Sequence, residues 1–302
     1  MKRHPTRLLS VCLIALLAAC GGGGTSPPPV PTPAPERLYV SGDSVPNNSI
    51  AYFNSPFGAN TTIAGTIATA GGGAIAGLAV DATGRVFAAD GFKNTLTAYP
   101  RPAPPGAPLF VMSLPFTPAK LAFDGAGNLY VADYGGGRIA VLAAPIAGTS
   151  APATLITGLS TPNGLCFDVA ANLYVTSFTS SILSVYQPPY TGSPVIVNTG
   201  TANSNSCAVD AATQQLIVAS GNASLGQILV YDLPLAANAG PAVRIPFNGT
   251  APTALAVDPS GDLFVGVGAT AIQVYAPPFT SVSSPLFAIP TVNSIGAMAF
   301  GS

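Results

Sequence analysis

The sequence predicts an all-β fold: a six-bladed β-propeller of four-stranded antiparallel blades, its ring closed by pairing the N- and C-terminal strands within one blade. Three observations predict it. A unit of about 44 residues recurs along the chain, the length of a four-stranded blade. Each unit reads as short apolar strands separated by turn residues. The two chain ends hold complementary halves of one further unit. Of the 302 residues, 48% are apolar and 7% charged, against roughly 25% charged in ordinary soluble chains. High hydrophobicity with little charge excludes a disordered chain. A membrane-spanning helix is excluded too, because the longest apolar stretch, Leu8 to Ala19, falls short of the about 20 residues needed. Ten basic residues face eleven acidic ones, so no nucleic-acid partner is expected.

In chain order, Lys2, Arg3 and Arg7 precede that apolar run, which is the build of a secretory signal peptide over residues 1–19. Leu17-Ala18-Ala19-Cys20 resembles a bacterial lipobox. The resemblance implies acylation of the Cys20 thiol, cleavage before it and acylation of the new amino terminus with a fatty acid such as palmitate. Two or more acyl chains attach a protein lastingly, where one binds reversibly. Gly21 stands where Asp would favour inner-membrane retention, so the outer membrane is the expected address if the cell is Gram-negative. Residues 20–35 continue as GGGGTSPPPVPTPAP after the cysteine, a flexible and then extended tether. Removing the signal segment also removes His4, the sole histidine.

Residues 36–302 form the propeller. The clearest unit is PAKLAFDGAGNLYVADYGGGRIAVL, residues 118–142, with relatives at 75–99, 162–186, 252–275 and, degenerate, 204–231. In the first strand Leu78, Leu121, Leu165, Cys207, Leu255 and Met298 share one register; Ala79, Ala122, Cys166, Ala208, Ala256 and Ala299 share the next. Large and small residues thus point to opposite faces, as an inner strand wedged between two blades requires. A tight turn follows, Asp81–Gly84, Asp124–Gly127 and Asp258–Gly261, with residue types that suit type I. The second strand reads Val86-Phe87-Ala88, Leu129-Tyr130-Val131, Leu173-Tyr174-Val175 or Leu263-Phe264-Val265, and the third ends in Tyr99, Leu142, Tyr186, Tyr231 or Tyr275. A Pro-aromatic turn (Pro56-Phe57, Pro189-Tyr190, Pro278-Phe279) leads into a weaker outer strand. Residues 296–300 are a first strand lacking a second, and 37–41 a second lacking a first. Together they complete the sixth blade and remove an open edge.

The run from Pro118 through Asp124, Gly127 and Asp133 to Arg138-Ile139 resembles an NHL repeat. The likeness covers nearly all of residues 36–302, most strongly in the second and third units, and implies a six-bladed propeller. The repeat's arginine recurs only as Arg138, a departure that marks a divergent relative. A WD-type propeller is disfavoured by the absence of Trp.

Ligands of such a ring are expected on the face built by two loop sets, since loops on a rigid scaffold carry function. Loops entering each inner strand contribute Asn163, Asn203, Asn205, Thr253, Asn293 and Lys120. Loops joining second and third strands contribute Asp43, Asp90, Lys93, Asn94, Asp133, Tyr134, Arg138, Ser177, Thr179 and Asn222. The tentative binding set is Asn163, Asn205, Asp90, Asp133, Tyr134, Arg138 and Lys120; the plainer reading is that Asp and Asn close turns through their own backbone. Thr161-Pro162-Asn163-Gly164-Leu165 resembles a loop of the senescence-marker and gluconolactonase family, whose divalent metal is held by Asn, Asp and Glu at the channel mouth. The corresponding register here reads Ala76, Ala119, Asn163, Asn205, Thr253 and Gly296. Two amides without a carboxylate hold a hard cation poorly, so no metal, no cofactor and no catalytic residue are expected. Without a mature histidine, a Ser-His-Asp triad and His-ligated zinc are impossible. Cys166 and Cys207 lie on adjacent inner strands: they either converge, and form a disulfide in an exported protein, or remain buried free thiols, the reading preferred on sequence alone.

The function expected from these observations is a non-catalytic, lipid-anchored binding or scaffold module, monomeric, with an envelope protein or glycan as ligand. The alternatives are a lactonase- or lyase-like propeller enzyme and a sensor of an extracellular ligand.

Overall fold

The computed structural model describes residues 36–42, 49–69, 74–101, 107–222, 224–247, 250–268, 271–291 and 295–301. The signal segment, Cys20, the tether, Asp43 and Asn293 lie outside them. All regular structure described is β. Blade 1 contains β1 (Arg37–Ser41), β2 (Ser49–Asn54) and β3 (Gly65–Ala68). Blade 2 runs through β4 (Ile75–Val80), β5 (Val86–Asp90), β6 (Thr95–Tyr99) and β7 (Phe110–Ser113). Blade 3 has β8 (Pro118–Phe123), β9 (Leu129–Asp133), β10 (Arg138–Leu142) and β11 (Ala153–Ile156). Blade 4 has β12 (Pro162–Phe167), β13 (Leu173–Ser177), β14 (Ile182–Tyr186) and β15 (Val195–Asn198). Blade 5 has β16 (Ser206–Asp210), β17 (Gln215–Ser220), β18 (Gly226–Asp232) and β19 (Val243–Phe247). Blade 6 has β20 (Pro252–Val257), β21 (Leu263–Val267), β22 (Ala271–Tyr275) and β23 (Phe287–Pro290). The last strand, β24 (Ala297–Gly301), returns to blade 1 and pairs antiparallel with β1, matching Leu38 to Phe300 and Val40 to Met298. The fold is therefore all-β, six four-stranded antiparallel blades with the ring closed through the chain ends.

The two inner-strand registers meet across every blade interface. Ala79 packs with Leu121, Ala122 with Leu165, Ala208 with Leu255, Ala256 with Met298, and Ala299 with Leu78, each pair within one core cluster. A large side chain against a small one lets adjacent sheets approach closely near the axis, where the wedge is narrowest. Gly77 takes this furthest: a Cβ there would collide with the Ala119 carbonyl of the next blade. Second strands such as β9 and β21 are buried along their whole length, which is why they read as unbroken apolar runs.

At the fourth interface the pair is Cys166 and Cys207, and here the structure corrects the free-thiol reading. The two side chains converge and are joined in a disulfide, with Cα atoms 5.8 Å apart, inside the range a disulfide spans without moving the backbone. The physical reason is general to the ring: one register of each blade faces the other register of the next, so adjacent-blade residues in these two positions always converge.

The aspartate turns are built by their own side chains. Asp124 Oδ1 accepts from Ala126 N and Asn128 N at 3.0 and 2.8 Å, and Gly127 N donates to the Asp124 carbonyl. Gly127 then adopts φ +83°, so a type I turn is completed by a left-handed residue. In blade 4 Ala171 stands there instead, at φ +62°. Burial, and then a hydrogen bond to the Asp168 carboxylate, raise the Tyr174 phenol well above its ordinary value and keep it a donor. After each third strand an X-Pro bond is cis in five blades. The residue that follows (Phe57, Ile146, Tyr190, Leu235 or Phe279) packs into the core shared with the preceding blade.

Candidate functional site: the loop face and channel mouth

Along the ring axis the first register closes the channel. Leu78, Leu121, Leu165, Cys207, Leu255 and Met298 line a cavity of about 50 Å³, room for a few waters rather than a ligand. Lys120 lines the same cavity. It occupies a register position that is Gly77, Gly164, Ser206, Ala254 and Ala297 in the other blades. Its Nζ donates to the Ala76 carbonyl at 2.9 Å and to that of Gly296. Only the small residues opposite allow so long a side chain to cross there. Thr253 Oγ1 donates to the Ile295 carbonyl at 2.7 Å, and Asn205 Nδ2 to the Pro252 carbonyl at 3.2 Å. Asn163 is half-buried beside them, with no side-chain hydrogen bond among the described residues.

The two loop aspartates among the described residues, Asp90 and Asp133, are occupied by their own turns. Asp90 is buried, and its Oδ1 accepts from Phe92 N and Lys93 N at 2.9 and 3.0 Å. Asp133 is also buried. Its Oδ1 accepts from Gly136 N at 2.8 Å, and its Oδ2 takes the Arg138 Nε at 2.6 Å. The Arg138 guanidinium lies 5.4 Å from the centre of the Phe116 ring, an attractive geometry for a cation. Tyr134 packs against Phe178 with ring centres 5.9 Å apart. The tentative set therefore does not gather in one place: Lys120, Asn163 and Asn205 belong to the channel mouth, while Asp90, Asp133, Tyr134 and Arg138 are turn and loop residues of blades 2 and 3.

A divalent cation is poorly served by this arrangement. The mouth register offers Asn163 and Asn205 amides, and among the described residues the loop carboxylates Asp90 and Asp133 are already engaged by backbone N–H groups or Arg138. Among the described residues, no three His, Cys, Asp or Glu side chains come together as a metal cluster. The described donor set does not fit a hard cation.

What the loop face does carry is hydroxyl. Ser177 Oγ donates to the Ser160 carbonyl at 2.5 Å, Ser180 Oγ to Ser177 Oγ at 2.7 Å, and Thr161 and Thr179 hydroxyls lie 2.7 Å apart. Ser177 and Thr179 were legible as loop residues. Ser180, and Ser184 behind it, were not: the strand position of Ser184 holds Ala51, Thr97, Ala140, Leu229 or Gln273 in the other blades, so a serine there gives no signal.

No protein-family model and no curated protein matches the sequence. Solved structures do share its architecture. A chain of a nidogen/laminin complex superposes with TM-score 0.68 at 16% identity, covering 88% of this chain and 98% of that one. A protein of unknown function from Bacteroides caccae gives 0.62 at 15%, covering 88% and 99%. Virginiamycin B lyase from Staphylococcus aureus gives 0.50 at 12%, covering 72% and 69%. These likenesses show the propeller fold.

Proposed function

We propose that this chain is a non-catalytic binding or scaffold module of the bacterial cell envelope. In this reading it is a divergent NHL-type propeller, lipid-anchored through Cys20, that catalyses no reaction and presents its loop face to a protein or glycan. The observation that carries the reading is the channel mouth. Lys120 and the six inner-strand side chains narrow the axis to a cavity of about 50 Å³, and the described loop carboxylates Asp90 and Asp133 are spent on turns. The outer membrane is the proposed address, resting on the lipobox resemblance and Gly21. The nidogen/laminin complex is an assembly that contains a similar fold, which favours binding by analogy alone.

A lyase- or lactonase-like activity is the second reading, favoured by the open amide of Asn163 at the mouth and by the lyase among the similar folds. Crosslinking the full-length lipoprotein in its native envelope, followed by mass spectrometry, tests the first. A specific protein or glycan adduct is expected, together with release of a Cys20→Ser variant from the membrane fraction. Failure to recover any specific partner, with stoichiometric bound metal and lactone turnover in the purified protein, would replace it with the second.

A further inference from the structure

The loop-face ends of four inner strands are bulged. In β4, β8, β12 and β20 the register with the second strand shifts at Ala76, at Ala119-Lys120, at Asn163-Gly164 and at Thr253. A bulge leaves its extra residue outside the ladder and re-aims its groups. At Ala76 the carbonyl released in this way meets Lys120 Nζ, which has crossed to it from blade 3.

The carbonyls around this mouth are served by side chains of other blades. Ser41 Oγ donates to the Ile75 carbonyl at 3.0 Å, Thr253 Oγ1 to that of Ile295 at 2.7 Å, and Asn205 Nδ2 to that of Pro252 at 3.2 Å. Each of these joins one blade to the next, and each donor is neutral. Lys120 is the charged donor of the set and reaches furthest. From blade 3 it bonds Ala76 of blade 2 and Gly296, the residue before β24, which lies 176 positions along the chain. Two carbonyl oxygens from different blades thus converge on one nitrogen. Their dipoles present negative ends to it, which favours a cation, and an ammonium adds directed N–H donors that a bare ion lacks. The chemistry of the occupant is therefore set by the occupant in place: a primary ammonium on an alkyl stem.

We infer that the channel mouth is a primary-ammonium site and that Lys120 is its built-in occupant, a plug carried by blade 3 that clamps carbonyls of blades 2 and 1. A ligand enters the mouth only by displacing this ammonium with one of its own. The inference goes beyond the binding-module reading and does not depend on it, since a partner seated on the outer loops would leave Lys120 in place. Two measurements on the full-length protein test it. Acylation of the folded protein with an N-hydroxysuccinimide ester should modify Lys93, which is exposed, and spare Lys120 until the protein unfolds. Lys120→Ala lacks the side chain from Cγ outward, a fragment equivalent to n-propylammonium. This variant should melt below the wild type, and n-propylammonium should restore its melting temperature saturably, where n-propanol and sodium chloride at matched ionic strength do not. The wild type, its site already filled, should not respond. Lys120→Met keeps a long stem without the charge; it should also melt low and gain nothing from the amine. If Lys120→Ala does not fold, the acylation pattern decides. Acylation of Lys120 as fast as Lys93 in the folded protein, an unchanged melt in Lys120→Ala, no rescue by the amine, or equal rescue by n-propanol each overturns the inference.

Discussion

Asp262 is a carboxylate where the other turns place a donor. At the same turn position Arg85, Asn128 and Asn172 reach the turn aspartate's second oxygen at 2.7, 2.8 and 2.7 Å. Asp262 instead faces Asp258, like charge to like charge, and burial followed by that neighbour raises its pKa. Glu36 is raised by burial and by the same Asp258. Asp262→Asn should restore the missing hydrogen bond and stabilise the fold by about 1 kcal/mol at neutral pH, read as a higher melting temperature. The sign with pH is fixed. A folded-state pKa above the unfolded one means the native protein takes up its proton first, so the wild type gains stability as pH falls through the raised value. The advantage of the variant should therefore be full above that value and shrink below it. Asp81 runs the other way: burial raises it, but hydrogen bonds from Thr83 and Arg85 outweigh that and hold its pKa low. Its contribution is full above the unfolded value and is lost as pH falls through the folded one. An advantage for Asp262→Asn that does not change between neutral and acid pH would refute the assignment. The turn itself was legible from Asp-x-x-Gly. Which turn was mismatched was not, because that depends on which side chain meets the second carboxylate oxygen.

Strands buried on both faces announce themselves, and strands at the rim do not. β9 and β13 are legible because every residue must be apolar or small. The outer strands β3, β7, β15 and β23 are four residues each, with single buried positions between exposed ones, too short for a period to stand out. The disulfide lies between these cases. Each cysteine sat in a legible register, yet their convergence is a property of two packed sheets rather than of either strand. It closes a loop with a sequence separation of 41, for which the chain-entropy relation gives about 4 kcal/mol. Oxidised native protein should show no alkylatable thiol at Cys166 or Cys207. Reduction, or the Cys166→Ala/Cys207→Ala double variant, should lower the melting temperature while the propeller still folds, because Ala at both sites leaves the other five interfaces intact. Equal melting of the oxidised and reduced protein would show that the crosslink contributes nothing.

At the scale of the molecule, the scarcity of charge follows from geometry. Six sheets packed face to face bury both sides of their inner strands, so the polar share falls to turns and outer strands, where Ser, Thr, Asn and Gly serve in place of Lys and Glu. The same geometry makes the ring depend on its closure. β24 supplies the inner strand of blade 1, covering the ladder edge of β1 from Arg37 to Ser41. It also sends Met298 into the core between blades 6 and 1, while the Phe300 ring stands 5.0 Å from Phe264 and 5.8 Å from Phe57. One strand thus joins three elements drawn from both chain ends, a pairing that complementary half-units predicted before any contact was known. Phe300 is half-buried, so Phe300→Ala should cost about 2 kcal/mol, less than the roughly 3–5 of a fully buried phenylalanine. Deleting residues 296–302 removes all of these contacts at once and exposes an unpaired edge. The truncated protein should lose its cooperative melt and bind a hydrophobic dye. A circular permutant that joins residue 301 to residue 36 through a short Gly/Ser link, with new ends opened in the exposed turn near Val282, should keep a cooperative melt because it retains β24 beside β1. A truncated chain that melts as the intact one does would mean that blade 1 holds without its fourth strand, and that the clasp closes the ring in form but not in energy.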